Sequence, residues 1–383
     1  MRIVIVGGGI IGAALADRLA RTAEVTLVER DRPGAGTSAA SYAWLNANDP
    51  ADPGYHAFRV AALDAWRRTA AGFGDPGWCR FAGNTAWAVD EPDRDALADR
   101  VARLRDLGYP ATLITATRLR DAEPSLRPPP GAVIARYPGE GHAHGSAAVA
   151  ALLGRARDAG ARILAGAAAT RLNVRGERVT GVRTSTGDDL DADVTICAAG
   201  WRSPALLATA GVGLPLVDPA APGSSAPGLT ATTTRVPGLV NGLVHSPGLD
   251  LRPTPEGGLV LEAADLDADT DLASSQADLD ARAAELLDRA RALFPGCTAR
   301  LGEVRRCVRP LPVDGRPLVG PQRPGLYTVV THSGITLGPY LAGLVAGEVA
   351  GEGADPALAP YRPDRPLPEP SSGPSSGPPS GPS

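Results

Sequence analysis

The chain has no lysine: all 38 of its Lys+Arg residues are arginine. No compact, proton-releasing ammonium side chain is therefore available for chemistry, because a guanidinium is delocalised and keeps its proton. Cysteine is scarce as well. Cys79, Cys197, Cys297 and Cys307 are too few and too scattered for a disulfide scaffold, and no CxxC pair suggests a zinc site, which fits a reducing compartment. His142 and His144 form an H-x-H pair, but with only five histidines and no accompanying cysteine or aspartate cluster a metal site is not expected. The net charge is -4 without a dense basic tract, which argues against nucleic acid or an anionic membrane surface as partner. No apolar run reaches the ~18 to 20 residues of a membrane span. A strand pattern starts directly after Arg2, leaving no room for an export signal, so a cytoplasmic protein is expected.

What is present is a folded chain of 383 residues, room for about two or three domains. Its 43% hydrophobic and 21% charged residues are far from a disordered composition. Ile3-Val4-Ile5-Val6 reads as a buried parallel strand, and Gly7, Gly9 and Gly12 follow it as G-x-G-x-x-G, with Ile11 inside the turn. Ala13 to Arg21 then reads as a helix, and Val25–Val28 as a second strand ending in Glu29-Arg30. In that context the glycines permit a tight turn, close approach of a pyrophosphate and close helix packing, while Glu29 would accept hydrogen bonds from a ribose. The helix N-terminus would face the phosphates. NAD and FAD both use this arrangement, and the motif alone does not separate them.

Further along, residues from about Tyr55 to Leu107 look largely helical, broken near 72 to 83. Ala147 to Ala159 has helical spacing, followed by strand-like Ala161–Leu164, Val179–Val182 and Ala192–Cys197. Residues 206 to 265 are turn-rich with short strands, an antiparallel sheet by pattern. Gln276 to Phe294 reads as an amphipathic helix. Leu326–Val330 is another strand, followed by a turn at His332-Ser333-Gly334 and an apolar helix from Tyr340 to about Ala350. Asp265, Asp267, Asp269 and Asp271 alternate like a calcium loop but lack its glycine and its closing glutamate, and so read as a solvated acidic turn. From Pro363 the chain is mostly Pro, Ser and Gly, which cannot build a core.

Taken together, the glycine turn with Glu29, the loop Gly36-Thr37-Ser38, the strand end Ala198-Ala199-Gly200-Trp201, the run Arg309–Gly320 and the Gly334 turn resemble the FAD-dependent D-amino acid oxidase superfamily, which includes glycine oxidase and monomeric sarcosine oxidase. The resemblance spans about residues 1 to 362. It implies an α/β fold: a discontinuous Rossmann-like FAD-binding domain (1–45, 142–205 and 303–362) and a mostly antiparallel-sheet substrate domain (46–141 and 206–302), with 363–383 as a disordered tail. Cofactor-binding positions carried over are Gly7, Gly9, Ile11, Gly12, Glu29, Arg30, Thr37, Ser38, Ala169, Ala199, Gly200, Cys307, Gly334, Ile335 and Thr336.

The implied activity is oxidation of the C–N bond of an amino acid or N-substituted amino acid to an imine, with oxygen or another electron carrier as acceptor. Arg309 falls at the family's carboxylate-clamping arginine, a role that suits its two-pronged fork. His332 stands where relatives place a polar or basic side chain beside flavin and substrate, and an imidazole can exchange a proton near neutral pH. Arg252 is a second arginine candidate, and Tyr42, Trp44, Asn46 and His245 could line a pocket or simply pack. Cys307, two residues before Arg309 and seven before Asp314, has the spacing of the cysteine that bonds covalently to flavin in monomeric sarcosine oxidase. That motif carries an aromatic where Arg309 stands, and a lone cysteine is usually a small buried hydrophobe, so noncovalent FAD is the favoured expectation. The sarcosine oxidase branch also uses a lysine near the flavin to activate oxygen, which this chain cannot supply. The alternatives are a dehydrogenase passing electrons to a quinone or carrier, a non-catalytic flavin-binding protein, and NAD-linked dehydrogenation.

Overall fold

The computed structural model describes residues 1–367. The chain divides into two units, each assembled from separate stretches. One comprises Met1–Ala39, Gly145–Pro219 and the chain from Val308 on; the other comprises Ala40–His144 and Ala220–Cys307.

The first unit is built on a six-stranded sheet in the order 318–323, 326–330, 194–197, 2–6, 24–29, 162–165. Its strands run parallel except Leu318–Arg323, which pairs antiparallel with Leu326–Val330. The opening strand Arg2–Val6 is central, in register with Val194–Cys197 on one side and Glu24–Glu29 on the other. That position explains its unbroken apolar run, since a parallel strand covered on both faces has no polar face to show. The opening helix Ile10–Leu19 packs against Gly145–Asp158 and Gly334–Val349. A separate antiparallel sheet, Ala169–Arg175 with Arg178–Thr184 and Asp189–Asp191, completes the unit.

The second unit carries an eight-stranded sheet in the order 301–308, 227–233, 259–262, 249–253, 243–246, 84–88, 133–137, 112–114. The pairs are antiparallel where 227–233, 259–262, 249–253 and 243–246 succeed one another, and parallel between Leu243–Ser246 and Asn84–Ala88. One face is filled by Leu229, Leu251, Leu261, Leu286 and Phe294, with the helix Gln276–Leu293 supplying Leu279, Ala283 and Leu287. That helix starts on a capping box, Ser275 with Asp278.

Four expectations need correction. The stretch 55–107 is not simply helical: between helices Pro53–Ala71 and Glu91–Asp106 lies the strand Asn84–Ala88, buried at every position and therefore lacking the alternation that marks a half-exposed strand. The last helix begins at Gly334, not Tyr340, with Pro339 inside it. Proline removes one i→i−4 bond, but contact of this first stretch with Ile10 and Ile11 of the opening helix holds it helical. The acidic turn is not wholly solvated: Ala264–Ala268 is a short helix, Asp267 is buried and accepts a hydrogen bond from Leu229 N–H at 2.6 Å, and Asp265 pairs with Arg289. The start of the expected tail is also engaged, because Arg365 is bonded to both oxygens of Asp314 at 2.8 to 2.9 Å. The remainder, 368–383, lies outside the described residues.

Candidate functional site

In the first unit the residue types of the glycine turn follow from contact. Gly7 has φ +109°, and a Cβ there would lie 2.4 Å from the Ala198 carbonyl oxygen; a Cβ on Gly12 would lie 1.9 Å from that of Gly7. Gly9 precedes a helix that has no side-chain cap, and Ile10 N–H instead reaches the buried Ser38 hydroxyl at 3.0 Å. Ser38 also marks where three helices begin together. A Cβ on Gly145, first residue of its helix, would meet the Ser38 carbonyl oxygen at 1.9 Å and the Ile335 side chain at 3.3 Å, while Gly334 abuts Ile10 and Ile11. Three helix N-termini with their partial positive charge thus gather around one loop.

Glu29 accepts hydrogen bonds from Gly8 N–H at 2.7 Å and Asp31 N–H at 2.9 Å, one to each oxygen, which leaves each oxygen a lone pair for a ribose hydroxyl. Thr37 donates to Val308 O at 2.7 Å, and a Cβ on Gly36 would meet nothing within 4 Å. Gly200, at φ +59°, opens the single turn Gly200–Arg202 after the strand Val194–Cys197, with Ala199 just before it. Ala169 begins the separate antiparallel sheet, two residues after Ala167, whose N–H reaches Glu29 O. Arg30 is exposed and pairs with Asp31 at 3.0 Å. Close-packed glycines, uncapped helix ends and a terminal glutamate fit an adenine dinucleotide such as FAD, with its pyrophosphate at the helix ends and its ribose on Glu29. Arg309 and His332 belong to this unit and are partly buried, Arg309 directly after Val308 and His332 in the turn before Gly334.

The second unit holds a buried polar cluster. Glu140 is fully buried, and its carboxyl accepts hydrogen bonds from Trp44 Nε1 at 2.8 Å, Asn84 Nδ2 at 2.9 Å and Tyr109 OH at 2.9 Å. Burial pushes this carboxyl up to about 7 in spite of those donors. Asn84 passes the network on, its Oδ1 lying 2.8 Å from His245 Nδ1. His245 stacks at 4.2 Å from Trp44 and lies edge-on to Tyr42 at 5.5 Å. Burial, then the charge of Arg100, holds it down to about 3, so it is neutral. Tyr42 donates to Leu251 O at 2.8 Å, and Asn46 is tied down by Arg59. Arg252, 2% exposed, donates Nε to Tyr42 O.

Cys307 is buried, and burial followed by the charge of Glu262 pushes its thiol up, away from the thiolate that a covalent link requires. All four cysteines are free, and no group of three or more His, Cys, Asp or Glu among the described residues could hold a metal. No helix among the described residues is long and apolar enough to cross a membrane.

The sequence pattern did not single out Gly145, Glu140, Asn84 or Asp250. Gly145 has no partner glycines, and Glu140 sits between glycines like an ordinary exposed turn residue.

Residues 2–348 match the family described as FAD dependent oxidoreductase, and the chain belongs to that family. It is 30% identical over 271 residues to a D-amino acid dehydrogenase of Cereibacter sphaeroides, covering 56% of this chain and 62% of that protein, so the match spans less than two thirds of the relative's own length. A D-amino acid dehydrogenase of Methylobacterium nodulans is 27% identical over 88% of this chain and 91% of its own. Among solved structures, glycine oxidase from Geobacillus kaustophilus superposes with a TM-score of 0.81 at 25% identity, covering 96% of this chain and 99% of that one.

Proposed function

We propose that this protein is an FAD-dependent oxidoreductase that oxidises the C–N bond of an amino acid or N-substituted amino acid to the imine. The observation that carries this is the cradle around Ser38, where the starts of three helices and Glu29 supply a dinucleotide site in a chain of the FAD dependent oxidoreductase family. The relatives named D-amino acid dehydrogenase and glycine oxidase support the amino acid as donor. Bound FAD supplies a two-electron acceptor for the hydride on the carbon next to nitrogen. The chain's own contribution is to hold and orient the donor. Arg309 is the leading carboxylate anchor, with Arg252 the second, because a guanidinium fork binds both oxygens. His332, in the turn before Gly334, is the second residue that we assign to the donor, through an imidazole able to donate or accept a hydrogen bond. The raised Cys307 thiol favours a noncovalent cofactor.

One feature favours a carrier over oxygen as electron acceptor: the chain has no lysine to offer a compact positive charge beside the flavin. Four cysteines, all free, are compatible with a cytoplasmic location.

Anaerobic addition of D-amino acids, glycine, sarcosine and proline to the yellow holoprotein tests the reading. Bleaching by at least one of them is expected, and a flavin that no amino acid reduces sets the reading aside. Admitting air then separates the acceptors: slow re-oxidation with little peroxide is expected, whereas a rapid return of colour makes the protein an oxidase.

A further inference from the structure

The strand Leu249–Pro253 alternates in sequence and in burial. Leu249 and Leu251 enter the apolar core of the second unit, which turns Asp250 and Arg252 to the opposite face. That face is not left to solvent. Tyr42, Trp44, Leu243 and Val260 form an apolar cluster on it, and Arg252 lies in register with Val260.

Two ionisable groups there lack the partner that burial demands. Arg252 is 2% exposed, yet among the described residues only its Nε and Nη1 find acceptors, the carbonyls of Tyr42 and Pro253, and no carboxylate lies within ion-pair distance. Asp250 is partly buried and accepts no hydrogen bond from any described residue, while its cross-strand neighbour in register is Glu262, another acid. Like charges directly opposite one another destabilise a strand pair, and a buried ion without a counter-ion is costly. Burial, then Glu262, pushes the Asp250 carboxyl well above its usual range, and burial brings the Arg252 guanidinium down to about 10. The other titratable groups that act on this face are Tyr42, His245, Glu140 and Glu256, with His142 and His144 also in the field of Arg252, and His245 is the register partner of Asp250 on Leu243–Ser246. A neutral imidazole and a phenol that already donates to Leu251 O give neither group an opposite charge.

We propose that Asp250 and Arg252 form a zwitterion-recognition pair, Arg252 taking the carboxylate of an amino acid and Asp250 its ammonium group. Two residues along one strand face have their Cα atoms ~6 to 7 Å apart, a spacing that the carboxylate and ammonium of one small α-amino acid can bridge. A single ligand of that class supplies both missing counter-charges, which a simple cation or anion cannot do. The Tyr42 and Trp44 rings make the surrounding wall apolar, strengthening both contacts. This inference rests on the amino acid reading above and identifies residues of the second unit that recognise the substrate.

The test uses anaerobic holoprotein with its flavin photoreduced beforehand, so that binding is measured by calorimetry without turnover. The probes are both enantiomers of alanine and of proline, and sarcosine, then propionate, which lacks the amine, and alaninamide, which lacks the carboxylate. In the wild type the zwitterion should bind about tenfold or more tightly than either truncated probe. Asp250→Asn should lose that factor for the zwitterion and for alaninamide but not for propionate. Arg252→Met should lose it for the zwitterion and propionate but not for alaninamide. Arg252→Lys, which keeps a charge without the fork, guards against a folding defect and should fall between Met and wild type. Arg309→Leu is run in parallel. If only that variant weakens binding, and the Asp250 and Arg252 variants bind all probes as the wild type does, the pair is overturned while the amino acid reading stands. If the pair behaves as stated but oxidised flavin is never bleached, the recognition stands and the oxidoreductase reading falls. Wild-type protein that binds no zwitterion in the panel overturns both.

Discussion

The two units hold polar groups by opposite means. In the first unit the cradle is almost entirely main chain: Gly7, Gly12 and Gly145 are there because any Cβ would strike a carbonyl oxygen, and the donors are N–H groups at helix starts. In the second unit the polar face consists of side chains, Glu140, Asn84, His245, Asp250 and Arg252, gathered against Tyr42 and Trp44. A backbone site fails by collision and has no titration of its own. A side-chain site tolerates changes of shape better but responds to charge and pH.

The largest effect should come from collision. Gly12→Val places a branched side chain where even a Cβ would stand 1.9 Å from the Gly7 carbonyl oxygen, with backbone on the facing side and nothing flexible to yield. We expect a loss of about 3 kcal/mol or more and a protein that purifies colourless. Absorbance of the purified variant and its thermal midpoint check this together, and a yellow variant that melts with the wild type would show the turn to be more yielding than the comparison allows.

Charge should dominate in the second unit. The Glu140 carboxyl lies at about 7 in the fold against an ordinary 4.5. Because the folded value is the higher one, the stability tied to this group is fully present below about pH 4.5 and is lost as pH rises through about 7, amounting to about 3 kcal/mol across that window. Glu140→Gln keeps an acceptor for the Trp44 or Asn84 donor and removes the titration. Relative to wild type the variant should therefore gain stability as pH rises from 4.5 to 7.5, by up to about 3 kcal/mol. Urea unfolding across that range measures it, and parallel wild-type and variant curves would deny the second unit its buried, titrating acid.

These differences also explain which parts were readable from residues alone. The glycine turn was legible because a tight turn, a close approach and a positive φ admit few residue types, and Glu29 follows at the end of a predictable strand. Gly145 makes a contact as close as Gly12 does, but its partner Ser38 is far away in sequence, and no local pattern announces such a contact. Asp250 and Arg252 illustrate a different loss. Alternation with Leu249 and Leu251 reads as a strand with one face in water, and only the arrival of Tyr42 and Trp44 from a remote segment turns that face into an interior. Glu140 is the extreme case, with its three donors supplied by residues 44, 84 and 109.

A smaller effect separates helix-end geometry from collision. Ser38→Ala leaves the main chain in place but removes the acceptor of the buried Ile10 N–H. A buried donor left without a partner costs about 1 to 3 kcal/mol, so we expect a drop of a few degrees in thermal midpoint and weaker, not abolished, FAD retention. Complete loss of flavin would make Ser38 a direct ligand and not only a support of the helix start.

Arg30 provides the smallest expected effect and the sharpest limit on the backbone character of the cradle. It follows Glu29 directly, the position at which the family resemblance carries cofactor contact over, yet its side chain is exposed and its ion partner, Asp31 at 3.0 Å, is itself well exposed. Exposed pairs of this kind contribute about 0 to 1 kcal/mol because water and salt screen them and two long side chains must be ordered. Arg30→Ala should therefore move the unfolding midpoint hardly at all. If main chain and Glu29 do the holding, FAD affinity should change by about threefold or less, a shift that falls within about 0.7 kcal/mol. A change of tenfold or more in the FAD dissociation constant, lost again in high salt, would instead mean that a side-chain charge supports the cradle. The first unit would then share the electrostatic dependence assigned here to the second alone.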